Sequence, residues 1–423
     1  MRILYIVHQF LPEFAAGTEL VTLRLAKAAQ RGGHLAEILT CFQRKPAVGE
    51  EVSADGLLRS VVGGVPVFAI PVGMIADPFG FSPGTDIQAR TVFARFLKTR
   101  PYDLVHVTHA FRVVDAVESV REREIPYLMT LTDYFSVCYR LELTRRNGDR
   151  CEGPLGGAAC HAFCNDAKGG INPASLLRRR DRLESILGSA TDVIACSPFL
   201  AGVVGREFPD LSVRVLGHGI DLLRFRPKPA RERTDETVFG YIGTISKAKG
   251  VDVLARAFAQ AAIPNGRLDL IGPPAGDEAL YRELLSLASQ TDGIRLKGAV
   301  PADQVPAALA GIDVLCIPSQ WPETFSLTMY EAFAAQTPVF VADLGNPAEV
   351  VRNASCGRVL PASDVDAWSA AIREAAADPD MLDGWRARLP LPARSEEETF
   401  LYEMLYREAH AANAAVRQAR SGR

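Results

Sequence analysis

Glu323 and Glu331, in PETFSLTMYEA (322–332), flank the start of a helical pattern set between two apolar, strand-like runs, DVLCIPS and TPVFVAD. Acids placed this way can each accept hydrogen bonds from paired hydroxyls. The N–H groups of Phe325, Ser326 and Leu327, next to Thr324, are expected to be free at the helix start and to face an anion. A ligand with polyol parts at both ends and phosphate between them, a nucleotide sugar, suits that arrangement. A favourable charge at a helix start and a solvated helical acid would spell the same letters, so the pair gains its meaning from its company. That company is GYIGTISKAKGVDVLARAF (240–258), which reads as a strand, a turn holding Gly243 and Thr244, and a helix opening with Lys249 and Gly250. Lys249 there would add a full positive charge to the helix dipole, where a departing diphosphate develops its own charge. No G-x-x-x-x-G-K-[ST] occurs, and no G-x-G-x-x-G follows a strand, which argues against P-loop chemistry and against a nicotinamide or flavin enzyme.

The elements that must position these residues alternate along the whole chain. Apolar runs at 3–7, 35–41, 65–70, 103–107, 127–133, 192–197 and 213–217 read as strands separated by helical patterns. A second series follows RFRPKPARERTDE (224–236), whose prolines and charges read as a linker: TVFGYIG, GRLDLIG, GIRLKGA, DVLCIPS and TPVFVAD. The expected fold class is α/β, with two doubly wound, Rossmann-like domains of parallel strands. Ligands in such sheets sit beyond the carboxyl ends of the strands. The expected organisation is an acceptor-side domain over 1–222, a linker over 223–236 and a nucleotide-sugar domain over 237–390. A C-terminal helical segment over 391–423 would pack back on the first domain.

Bulk composition fits this picture. The chain has 423 residues, 48% hydrophobic and 23% charged, with a net charge of −3, enough for two full cores and without the basic excess of a nucleic-acid binder. No run of apolar residues is long enough to span a bilayer, and RILYIV continues without a cleavage site, so a cytoplasmic protein is expected. LLRRRDRLESILGS (176–189) carries Arg178, Arg179, Arg180 and Arg182 and could lie against the anionic inner leaflet as a peripheral contact; an ordinary solvated face is the commoner origin of such a run.

Six segments together resemble the retaining family-4 glycosyltransferases of GT-B fold. They are LPEFAAGTE (11–19), SPFLA (197–201), GHGID (217–221), GTISKAKG (243–250), PETFSLTMYEA (322–332) and DLGNPAEVV (343–351), in the family's order and over nearly the whole chain. The resemblance implies that Lys249 binds the donor diphosphate, Glu323 holds hydroxyls of the donor sugar, Glu331 holds the ribose, and Gly17 lets the first loop approach the phosphates. It implies transfer of a hexose from a UDP- or GDP-sugar with retention and no catalytic metal. The acceptor would be a hydroxyl of a glycan or a polyprenyl-diphosphate-linked oligosaccharide, in bacterial polysaccharide, lipopolysaccharide or glycolipid synthesis. A histidine near the reacting sugar would be His109 of VHVTHAF (105–111), since the strand period turns His106 to the core; a satisfied strand-end histidine is the alternative. The chain departs from the family at Thr244, where arginine is common, at Ala16 and Asn346, where glycines are, and at His218, where asparagine is usual. A sugar-nucleotide epimerase, a phosphorylase or a non-catalytic metal-binding scaffold would share the fold.

Four of the eight cysteines, Cys138, Cys151, Cys160 and Cys164, fall in CYRLELTRRNGDRCEGPLGGAACHAFC (138–164). In a cytoplasmic protein such a cluster is read as metal-binding before it is read as disulfides. Its spacing matches no standard zinc signature, which leaves a structural zinc site and four reduced thiols lining a loop side by side.

Overall fold

The computed structural model describes residues 1–43, 51–53, 56–81, 87–164, 172–226 and 236–421. The chain divides into two compact units, Met1–Gly217 with Glu397–Arg423, and His218–Glu396. Most of the linker expected at 223–236 lies outside the described residues.

Among the described residues the first unit has nine strands: β1 (Arg2–Ile6), β2 (Leu35–Phe42), β3 (Glu51–Val52), β4 (Leu58–Val62), β5 (Val65–Pro71), β6 (Leu104–Val107), β7 (Tyr127–Leu131), β8 (Asp192–Ala195) and β9 (Arg214–Val215). Their order in the sheet is β3-β4-β5-β2-β1-β6-β7-β8-β9. All pairs from β5 to β9 are parallel, whereas β3, β4 and β5 form an antiparallel edge of which the strand reading has only β5. The signal for it is Gly63-Gly64 between β4 and β5: both take positive φ, 56° and 87°, as a two-residue hairpin turn requires.

The second unit holds β10 (Thr237–Ile242), β11 (Gly266–Ile271), β12 (Ile294–Gly298), β13 (Val314–Ile317), β14 (Val339–Ala342) and β15 (Gly357–Leu360), all parallel, in the order β12-β11-β10-β13-β14-β15. Apolar side chains alternate to both faces of this sheet. One face packs Phe239, Leu254, Phe340 and Trp368, and the other Leu315, Met329, Phe333 and Val341. Both units are therefore doubly wound α/β layers, the GT-B class expected from the sequence.

From Glu397 on, the Ser395–Ser421 helix belongs to the first unit, where it is anchored by buried polar side chains rather than by apolar contact alone. Arg24 pairs with Glu398, His34 Nε2 lies 2.9 Å from Glu403, and Tyr402 Oη is 2.9 Å from Thr130 Oγ1. Tyr406 Oη reaches His106 Nδ1 at 2.8 Å, and His106 Nε2 reaches Thr130 Oγ1 at 2.7 Å. His106 is fully buried on β6, and burial pushes its ring down to about 3. A base whose folded pKa is depressed binds fewer protons folded than unfolded, so its contribution is complete above the unfolded value near 6.5 and is lost as pH falls below it. Urea unfolding between pH 6.5 and pH 4.5 should therefore show falling stability, and His106→Gln should flatten that slope. An unchanged slope in the variant would mean that other groups carry it.

The basic helix Pro173–Gly188 is not an exposed cationic face. Arg179 and Arg182 are buried; Arg179 Nε donates to the Phe79 carbonyl at 2.9 Å and its guanidinium also reaches the Phe135 carbonyl, while Arg182 forks onto Glu118 and Asp115. Helical period turns those two inward and leaves Arg178 exposed and Arg180 paired with Glu184 and Glu207. Among the described residues no helix is long and apolar enough to cross a membrane.

Candidate functional site

At the carboxyl ends of β10 and β13 two turns converge. The first leaves β10 through Gly243, Thr244 and a 3-10 turn, Lys247–Lys249, capped by Ser246. Lys249 thus precedes the Val251–Ala261 helix instead of opening it, because Gly250 takes φ +66° between them. A Cβ on Gly250 would stand 1.9 Å from the Pro318 carbonyl oxygen, so only glycine lets this turn close on the loop after β13. The Gln320 N–H donates to the Ala248 carbonyl at 2.8 Å and ties the two turns together.

Across that contact Lys249 Nζ sits 2.7 Å from Glu323 Oε1. The ammonium also lies 5.1 Å from the centre of the Trp321 ring, a second attraction that holds it in place. Glu323 is 7% exposed and accepts a further hydrogen bond from Ser319 Oγ. Burial alone would raise its carboxyl; the charge of Lys249 and hydrogen bonds from Lys249, Ser319 and Ser326 outweigh that and hold it below the ordinary carboxylate value. The result is a preformed ion pair with Lys249 still about a third open to solvent, its side chain 30% exposed.

The loop carrying Glu323 is clamped from behind by the Gly345–Ala354 helix. Gly345 has φ +69°, and a Cβ there would meet the backbone of Glu323 at 2.4 Å. Asn346 donates its N–H to the Glu323 carbonyl at 2.9 Å and its side-chain amide to the Phe325 carbonyl at 3.3 Å. Asparagine, where the family has glycine, is thus a working part of the clamp.

The helix after the loop is shorter than expected, Leu327–Ala334, because Ser326 adopts φ +70° and breaks the helical path before it. The N–H groups of Phe325 and Ser326 therefore lie outside the helix, and Leu327 is its first residue. Glu331 is its fifth residue and is half-buried, just over a turn in rather than two. Thr324 and Phe325 are buried; the Phe325 ring stacks on Tyr330 at 4.4 Å and meets His218 edge-on at 5.1 Å. Gly243 and Thr244 border the same turn, with Thr244 exposed and its carbonyl accepting from Tyr241 Oη at 2.6 Å. Sequence reasoning named Lys249 and Glu323 but missed Ser319, Trp321 and Tyr241, which carry no pattern of their own and matter only because the turns meet.

In the first unit, Gly17 is the first residue of the Gly17–Arg31 helix, whose Glu19 is buried and accepts from the Ala16 N–H at 2.8 Å. His109 follows β6 and is buried. Its Nε2 is 2.7 Å from Asp133 Oδ2, its Nδ1 accepts from the Phe111 N–H at 3.1 Å, and its ring lies against that of His8 with centroids 3.9 Å apart and the planes tilted by 34°.

The four clustered cysteines are all buried and free. Cys160 and Cys164 sit one turn apart on the Ala158–Cys164 helix, Cys151 Sγ donates to the Gly153 carbonyl at 3.4 Å, and burial pushes the Cys160 thiol up to about 12. Among the described residues no three His, Cys, Asp or Glu side chains are disposed to hold a metal ion. The thiols nonetheless lie within electrostatic reach of one another: after burial, Cys138, Cys164 and Cys151 each push the Cys160 thiol further up.

Two family models match the chain: "Glycosyl transferase 4-like domain" over residues 16–219 and "Glycosyl transferases group 1" over 224–389. The chain belongs to the family-4 glycosyltransferases of GT-B fold. Among curated relatives, D-inositol 3-phosphate glycosyltransferase of Rhodococcus jostii is 29% identical over 198 residues, 43% of this chain and 44% of that protein. The chain thus spans less than half the length of such relatives. Among solved structures, sucrose-phosphate synthase of Thermosynechococcus elongatus superimposes with a TM-score of 0.70 at 18% identity, covering 97% of this chain and 99% of the other. HepE of Anabaena, in complex with UDP and glucose, does so with a TM-score of 0.67 at 18% identity, covering 96% and 99%. At those identities the structures speak for the GT-B fold alone. As a family-4 glycosyltransferase the chain carries its Glu-x7-Glu on the loop and helix that follow β13.

Proposed function

We propose that this glycosyltransferase moves a hexose from a nucleoside diphosphate sugar, UDP-linked by preference, to a hydroxyl of a glycan or lipid-linked acceptor, with retention of configuration. The observation that carries the reading is the Lys249–Glu323 ion pair at the junction of two turns beyond the carboxyl ends of β10 and β13. A cation that is partly open and held over Trp321 can turn to a diphosphate, and the carboxylate it releases can accept from sugar hydroxyls. Glu331, on the helix after the loop, is assigned to the ribose. UDP is favoured because HepE, of the same fold, was obtained with UDP. Lys249 and the N–H groups around Leu327 supply charge stabilisation at the phosphates.

The test begins with binding. UDP should raise the melting temperature by mass action, more than GDP or ADP at equal concentration, and Glu331→Ala should weaken UDP about tenfold through loss of the ribose contact. The fold unmoved by all three nucleotides would refute the donor reading; a Glu331→Ala variant that binds UDP like wild type would refute the ribose assignment.

A further inference from the structure

Both ring nitrogens of His109, just past the carboxyl end of β6, are engaged. Its Nδ1 accepts from the Phe111 N–H at 3.1 Å, so the ring carries its proton on Nε2 and donates it to Asp133 Oδ2 at 2.7 Å. One face of the ring is covered by His8 at 3.9 Å, and the side chain is only 5% exposed. A histidine so engaged cannot reach a ligand without giving up a contact. Its partner differs. Asp133, just past the carboxyl end of β7, is 22% exposed and takes N–H donors at both oxygens: Nε2 of His109 at Oδ2 and the Phe135 N–H at Oδ1, 2.8 Å away. A carboxylate has about four lone-pair sites, so two donors orient it and leave capacity on its open side.

In a catalytic triad the carboxylate orients the imidazole, and the imidazole acts. Here the order is reversed, since the imidazole is committed and the carboxylate is open. Its surroundings suit a hydroxylated ligand. Thr18 Oγ1, at the start of the Gly17–Arg31 helix, lies 3.3 Å from Thr132 Oγ1 of the residue preceding Asp133, while among the described residues His8 Nδ1, of the ring against His109, is buried without a partner. Burial first, then His109 and Arg112, holds the His8 ring well below the ordinary imidazole value, so it adds no charge to compete for the carboxylate.

Resting on the glycosyltransferase reading, we propose that Asp133 is the group of the first unit that accepts a hydrogen bond from the acceptor's sugar hydroxyl, with His109 as its positioning residue. The contact binds and aims the hydroxyl.

The experiment measures UDP release from UDP-glucose with octyl glucoside, octyl galactoside and octyl N-acetylglucosaminide as acceptor probes. Wild type is compared with Asp133→Asn, Asp133→Ser, His109→Gln and His109→Phe, each first checked for a wild-type-like melt. With the probe that wild type uses, Asp133→Asn and Asp133→Ser should raise the acceptor KM tenfold or more and leave the donor KM within twofold. His109→Gln, whose amide can still donate to Asp133, should stay within threefold of wild type; His109→Phe, which keeps the ring but not the N–H, should fall between. An unchanged acceptor KM in the Asp133 variants would overturn the proposal, as would a His109→Gln loss as large as theirs. UDP binding without transfer to any probe would count against the sugar-hydroxyl assignment alone. A wild type that shows neither UDP binding nor UDP-glucose turnover would refute the glycosyltransferase reading itself.

Discussion

Lys249→Ala should lower turnover a hundredfold to a thousandfold while changing UDP affinity far less. On a leaving diphosphate the negative charge grows toward the transition state, so a cation there acts more on turnover than on ground-state binding, by about 3 to 4 kcal/mol. No arginine shares the turn, because Thr244 stands where the family commonly has one. Thr244 is exposed and engaged through its carbonyl, which leaves its side chain free to be lengthened. Thr244→Arg should therefore restore part of the activity of Lys249→Ala, a guanidinium from the same loop taking up the phosphate charge. The check is steady-state kinetics of single and double variants with UDP-glucose. Near-normal turnover in Lys249→Ala would place the diphosphate elsewhere.

Glu323→Ala should cost about a hundredfold in turnover with UDP affinity within threefold of wild type, since sugar contacts change along the reaction while nucleotide contacts persist. Two losses combine in this variant: the hydroxyl acceptor itself, and the anchor that fixes Lys249 at 2.7 Å. Glu323→Gln separates them, because its amide can still accept from a hydroxyl but no longer holds a cation by charge. Stability gives a second readout. Lys249 and its hydrogen bonds depress the Glu323 carboxyl against the opposing effect of burial, so the pair stabilises the fold above the unfolded value near 4.5 and that contribution fades as pH falls through the lower folded value. Glu323→Gln should lose stability at pH 7 and less of it at pH 3.5. A fall in UDP affinity as large as the fall in turnover would move Glu323 from the sugar to the nucleotide.

Much of this protein is legible in its sequence. Apolar runs separated by helical patterns gave two doubly wound domains, because a strand buried on both faces must be apolar along its length. Lys249, Glu323 and Glu331 stood out by type, and six short segments in fixed order identified the family. The antiparallel β3-β4-β5 edge was encoded too, in Gly63-Gly64, but half-exposed strands such as Leu58–Val62 lack the continuous apolar run.

Only the tertiary structure decided which of these residues act together. Lys249 and Glu323 lie 74 positions apart, and their pairing exists because Gly250 and Gly345 let three stretches of backbone approach where any side chain would collide. The arginines of the Pro173–Gly188 helix read as a charged face, yet two are buried, since a helix turns its residues by period and not by charge. The cysteines read by type as zinc ligands or as thiols lining a loop, and the fold buries all four as free thiols. His109 read as a catalytic histidine by position; the N–H of Phe111 and the carboxylate of Asp133 commit both its nitrogens. Sequence fixes which groups a chain owns and the local period that carries them, while hydrogen-bond partners far along the chain fix which lone pairs remain open to a ligand.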